Sequence, residues 1–106
     1  MRTYRTIGEV EEDYLRTHPE EIESYLTVLF EEYARDGDTA ALLSSLRSVG
    51  RVLGVSRLAA SAGLSRKGLQ KALSEAGNPH FESVTAILHA MGYRLVPQKL
   101  EATPRP

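Results

Sequence analysis

Val55-Ser-Arg-Leu-Ala-Ala-Ser-Ala-Gly63-Leu-Ser-Arg-Lys-Gly-Leu-Gln-Lys-Ala-Leu73 reads as two short helices folded against each other across a tight turn. Leu58, Ala59 and Ala62 share one face of the first helix, at the i, i+1, i+4 spacing that a helix brings together. Ala59 is small enough for the next helix to cross over it. Gly63 falls where a sharp turn needs a residue that tolerates positive φ. Leu64 plugs the core, and Ser65 is a good N-cap for a second helix that buries Leu69, Ala72 and Leu73. Arg66, Lys67, Gln70 and Lys71 are then left pointing outward. No acid lies between Arg57 and Ser74. This is the pattern of a helix-turn-helix that presents a recognition helix to the DNA major groove.

The flanking sequence extends a helical reading. Pro19 at a first helical position, followed by Glu20, Glu21 and Glu23, opens a helix and suits its dipole. Ile22, Leu26, Leu29, Phe30 and Tyr33 form its apolar stripe to about Ala34. Asp36-Gly37-Asp38 stops that helix and caps the next, about Thr39 to Leu53, whose buried side is Leu42, Leu46, Val49 and Leu53, with Gly54 at its end. Glu75-Ala76-Gly77-Asn78-Pro79 is a loop. A last helix, about Phe81 to Met91, buries Phe81, Val84, Leu88 and Met91 and ends at Gly92. Tyr93-Arg94-Leu95-Val96 alternates as a short edge strand does. Upstream, Val10 and Tyr14, with the acids around them, fit a short helix. Glu9, Glu11, Glu12 and Asp13 read as a solvated acidic run. The fold class expected is all-α, with four to five bundled helices, an extra N-terminal helix and a short C-terminal strand.

The 106 residues suffice for one domain. The overall charge of −1 hides a division. Residues 1–38 set four arginines against eleven acids, a net −7, and residues 39–106 set nine lysines and arginines against three acids, a net +6. A basic half is the electrostatic footprint of phosphate binding, and an acidic half is repelled by DNA and suits a basic protein partner. Three segments result: an acidic, partner-facing helical segment 1–38, a helix-turn-helix DNA-binding segment 39–97 and a flexible tail 98–106.

There is no cysteine, so no disulfide framework or thiolate metal site, and a reducing cytoplasm fits. No apolar run reaches the roughly 18 residues needed to cross a bilayer, and the N-terminus lacks an apolar signal region. A cytoplasmic protein with no membrane contact is expected. His18, His80 and His89 are scattered, with no metal-binding motif, phosphate loop or nucleophile elbow around them. The expectation is a non-enzyme without cofactor or metal, with His80 capping the last helix and His89 on its polar side.

The residues also resemble a known group. Gly54-Val-Ser-Arg-Leu-Ala, then Ala62-Gly-Leu-Ser-Arg-Lys-Gly-Leu-Gln-Lys-Ala-Leu-Ser, then Gly77-Asn-Pro-His-Phe-Glu-Ser-Val and Leu88-His-Ala-Met-Gly look like the addiction-module antidote family. Its members are HigA-like antitoxins with a lambda-repressor-like, Xre-type helix-turn-helix. The likeness is dense over residues 54–92. It continues loosely into Asp36-Gly-Asp-Thr-Ala-Ala-Leu-Leu. Two outward positions depart from the family's usual residues, Lys67 for Glu or Thr and Gln70 for Tyr, so the operator sequence does not transfer between relatives. The resemblance implies an antitoxin that neutralises a RelE/HigB-like, RNA-cleaving toxin and represses its own operon. A stand-alone dimeric repressor without a toxin partner is the alternative.

Roles are assigned on that basis. Arg66 and Lys67 reach base edges, Arg being best matched to guanine O6 and N7, while Gln70 suits adenine and Lys71 a base or phosphate. Ser56, Arg57, Ser65 and Asn78 are the phosphate contacts, though Asn78 serves equally as a turn residue before Pro79. One recognition helix per chain calls for a homodimer on palindromic operator DNA, with half-sites about one DNA turn apart. Tyr93, Leu95 and Val96, as paired edge strands, are the candidate dimer contacts, and apolar surface on the last helix is the other option.

Overall fold

The computed structural model describes residues 7–74 and 78–100, which form six α-helices and one 3-10 turn. The third helix, α3 (Thr39–Leu53), is the one around which the others assemble. Asp38 opens it by accepting the Ala41 N–H at 3.0 Å, and its stripe Leu42, Leu43, Leu46 and Val49 is buried. α1 (Ile7–Thr17) and α2 (Ile22–Asp36) lie against α3 on one side, and α4 (Val55–Ala62) crosses it on the other. The crossing is close at Gly50, where a Cβ would stand 3.4 Å from Leu58 Cδ2. α5 (Arg66–Ala72) and α6 (Phe81–Met91) both pack on α4. One continuous core results, running from Leu15, Ile22, Leu26 and Leu29 through α3 to Leu58, Leu69, Leu73, Ile87 and Leu88.

Most helix ends fall where the turn residues place them. Pro19 starts a 3-10 turn, Pro19–Glu21, before α2 proper begins at Ile22, because the Glu21 N–H bonds back three residues to the His18 carbonyl at 2.9 Å. On α6 the buried positions are Ile87 and Leu88, with Val84 and Met91 half-buried. Phe81, expected in the core, is 75% exposed, at the first position of α6 and six residues before its first buried side chain, Ile87. The expected strand at Tyr93–Val96 is absent. That segment has no regular secondary structure, and every regular element among the described residues is helical, so no strand is there to pair with it. It instead runs beside α2, near Leu26, Phe30 and Ala34. Residues 98–100 of the expected tail have no regular secondary structure and are exposed, and residues 101–106 lie outside the described residues, as do Glu75, Ala76 and Gly77 of the expected loop.

α1 differs most from the sequence reading. The helix is present, but Val10 and Tyr14 stay about half-exposed while Leu15 and Glu12 are buried on α3. Glu12 is therefore not part of a solvated run. Its Oε2 accepts from Arg51 Nε at 2.9 Å and from Arg51 Nη2 at 2.5 Å, with Arg16 Nη2 at 3.5 Å from Oε1. The Arg51 bond holds the Glu12 carboxyl below its ordinary value of 4.5, against the opposing effect of burial, with Ser48 and Arg16 adding to the lowering.

The pair is unequal, because the Arg51 side chain keeps 47% of its surface in water and that of Glu12 only 8%. Removing the arginine strands a carboxylate; removing the acid leaves a cation that can still hydrate. Arg51→Met should cost about 2–3 kcal/mol and Glu12→Gln about 1 kcal/mol in urea unfolding at pH 7. A carboxyl whose folded pKa is depressed gives stability that is present above its ordinary value and lost as pH falls through the folded one. The gap between wild type and Glu12→Gln should therefore shrink as unfolding is repeated from pH 5 down to pH 3. A gap that is constant with pH would mean that Glu12 contributes through packing alone.

Candidate nucleic-acid interface

The α4–α5 corner is built by local chemistry. Gly63, at φ 72°, lets the chain reverse after α4. The Gly63 N–H reaches the Ala60 carbonyl at 3.2 Å and the Leu64 N–H the Ala59 carbonyl at 2.9 Å, the paired bonds of a Schellman ending. Leu64 then turns into the core edge. Ser65, extended at φ −73° and ψ 160°, caps α5 by accepting the Gly68 N–H at 2.9 Å. A Cβ on Gly68 would stand 3.0 Å from that Ser65 Oγ, a tight contact with the capping oxygen. With Leu69 and Leu73 buried, the helix has one way to sit, and Arg66, Lys67, Gln70 and Lys71 are all exposed.

Several expected contact residues come together here. Arg66 Nη1 donates to Ser56 Oγ at 2.8 Å, which ties the start of α5 to the start of α4. Lys71 and Gly68 share a shallow depression with Asn78, Pro79, His80 and Ser83, so the exposed Asn78 lies beside the second turn of α5. Ser65 is on the same corner, with its oxygen engaged in the cap. His80 is the N-cap residue of α6, and its side chain makes no capping bond. Arg57, exposed beside Ser56 at the start of α4, also borders a recess with Leu53, Ser61, Ala90 and Met91 at the C-terminal end of α6. Tyr93, Leu95 and Val96 line a groove with α2, away from α5.

Chemically, the corner offers guanidinium, ammonium and amide donors on one short helix, with no acid anywhere from Thr39 to Ser74 to oppose an approaching phosphate. Two residues that bear on it escaped the sequence reading. Arg47 Nη1 donates to the Leu73 carbonyl at 2.7 Å, so a cation of α3 fastens the C-terminal end of α5. Arg51 is engaged by Glu12. Charge counting alone placed both among cations available to phosphate. The only signal that sets them apart is their position on α3, on the turns that follow its first buried leucines. Among the described residues, no three His, Cys, Asp or Glu side chains gather as metal ligands do, and no helix is long and apolar enough to cross a membrane.

A family model described as "Probable addiction module antidote protein" matches residues 9–99, from within α1 through the segment that follows α6. An uncharacterized protein of Haemophilus influenzae is 36% identical over 83 residues, which cover 78% of this chain and 81% of that protein. No solved structure gives a significant match. The match takes in the N-terminal helices as well as the α4–α5 corner, and the chain belongs to the family of probable addiction module antidote proteins, a description that implies a toxin partner.

Proposed function

We propose that this chain is the antitoxin of a type II toxin–antitoxin pair, which neutralises a basic, RNA-cleaving toxin of the RelE/HigB-like class and represses its own operon through a lambda-repressor-like helix-turn-helix. The observation that carries the DNA-binding half is the α4–α5 corner, capped at both ends, with four exposed donors on α5 and no acid from Thr39 to Ser74. In this reading Arg66, Lys67 and Gln70 meet base edges, Lys71 meets a base edge or a phosphate, and Ser56, Arg57, Ser65 and Asn78 meet phosphates. The Arg66–Ser56 hydrogen bond preorganises a guanidinium that would otherwise lose rotamer freedom on binding. Two chains are needed to present two recognition helices to a palindromic operator. The protein acts as a binding module in the cytoplasm, with no catalytic role.

The toxin-neutralising half rests on family membership and on charge. A protein that grips RNA presents cations, and residues 1–38 expose Asp13, Glu20, Glu21, Glu23, Glu31, Glu32 and Asp36. One observation favours the stand-alone repressor instead: Leu15, Ile22, Leu26 and Leu29 belong to the common core, so the first two helices have structural work apart from any partner. For the same reason, deleting residues 1–36 is a poor test, because it uncovers α3. Co-expression with the product of the adjoining reading frame separates the readings. A stable complex with relief of growth arrest is the antitoxin's result. Neither toxicity nor complex, with DNA still bound, is the repressor's.

DNA recognition has its own test. Arg66→Ala should weaken operator binding by about tenfold or more and relax sequence preference, as expected for a base contact worth roughly 1–3 kcal/mol. Lys71→Ala, if Lys71 lies on phosphate, should weaken operator and random DNA alike and lower the salt dependence by about one counterion. Fluorescence anisotropy at several salt concentrations reads both. An equal loss on operator and random DNA for Arg66→Ala would move Arg66 to the phosphate class.

A further inference from the structure

α1 and α2 bring three large apolar side chains, Val10, Tyr14 and Val28, to one open groove, where they are 52%, 49% and 50% exposed. Leu15 and Tyr25 form its floor, and Glu11 and Glu21 stand at its rim, around a volume of about 500 Å³. Single exposed apolar residues need no explanation, but three converging on one concavity mark an interaction surface. The floor carries no unmet polar group, since the Tyr25 hydroxyl donates to Glu11 Oε1 at 3.0 Å and thereby fixes that acid at the edge. Tyr14 is held as well. Its ring stacks on His18 with centroids 4.1 Å apart and planes 15° from parallel. His18 Nδ1 lies 3.0 Å from the Tyr14 carbonyl and 2.9 Å from the Thr17 hydroxyl. An aromatic ring already fixed in place loses little freedom when a partner covers it, which is the character of an interface anchor.

We propose that this groove receives a basic amphipathic segment of the partner protein, which lays apolar side chains over Val10, Tyr14 and Val28 and places lysines or arginines against Glu11 and Glu21. The inference rests on the antitoxin reading and gives it a site. Charge selects the occupant. A second copy of this chain would meet the groove through a two-fold contact, setting Glu11 and Glu21 of one chain toward the same acids of the other as water is expelled. A basic segment meets the same rim with opposite sign. The exposed acids Asp13 on α1, Glu20 in the 3-10 turn and Glu23 on α2 extend the attraction beyond the groove.

The probe is the product of the adjoining reading frame, titrated by calorimetry into the full-length chain and into Val28→Lys, Tyr14→Ala and Glu21→Lys, with thermal unfolding of each as a check on folding. Val28→Lys and Tyr14→Ala should each weaken binding about tenfold or more while the unfolding midpoint stays near that of the parent. Glu21→Lys should weaken it less, with the difference fading at high salt. If the parent binds and both apolar variants bind within about twofold of it, the groove is not the site and the antitoxin reading stands. If the parent does not bind, the antitoxin reading fails and the inference with it. A parent that sediments as a dimer, with Val28→Lys a monomer, would give the groove to a second copy and overturn the proposal.

Discussion

Two arginines one turn apart on α3 set the geometry of this molecule. Arg51 reaches out of the helix to Glu12 on α1, and Arg47 reaches the Leu73 carbonyl at the end of α5. Between and beneath them Leu46 and Val49 are almost wholly buried. α3 is thus fastened by charge to the first helix of the chain and to the helix that carries the basic face. The apolar core supplies most of the driving force, but it is non-directional and leaves helices free to slide by a turn. A guanidinium with a fixed acceptor does not.

The charge division reads differently once these contacts are known. Glu12 of the N-terminal half and Arg51 of the remainder are engaged in joining the halves, and Arg47 is engaged within the basic half. What is left on the surface keeps its sign by location. Exposed acids stud α1 and α2, and exposed Arg66, Lys67 and Lys71 occupy α5. An acid near α5 would repel a phosphate as strongly as a lysine attracts it, so the absence of acids from Thr39 to Ser74 matters as much as the presence of cations. A chain with net charge near zero can in this way offer two strongly opposed faces.

What could be read from the sequence follows from how local each cause is. Gly63 and Ser65 act within four residues, and Asp38 within three, so the α4–α5 corner and the start of α3 were legible. The exposure of Arg66, Lys67, Gln70 and Lys71 followed from Leu69 and Leu73 facing inward. Glu12 was not legible, because a carboxylate reads as exposed until its partner is known, and that partner lies 39 positions away. Val10 and Tyr14, at i and i+4, mark a helix but not its packed face, which belongs to Leu15 and the paired Glu12. Tyr93–Val96 alternates correctly for a strand, yet alternation cannot supply a neighbouring strand. Phe81 continues the stripe of α6 by spacing, and spacing does not say where the core ends.

The N-terminal helices answer two demands at once, and their two faces divide them. Their inner face covers α3. Without Leu15, Ile22, Leu26 and Leu29, the buried side chains of Leu42, Leu43 and Leu46 would lose part of their cover, and a chain of this length has little core to spare. Their outer face carries the acids and the groove between Val10, Tyr14 and Val28, none of which the core requires. The groove opens between α1 and α2 and the basic face lies on α5, with α3 and α4 standing between them. A partner seated on α1 and α2 therefore need not cover α5, and one small domain has room for an acidic docking surface and a basic nucleic-acid surface.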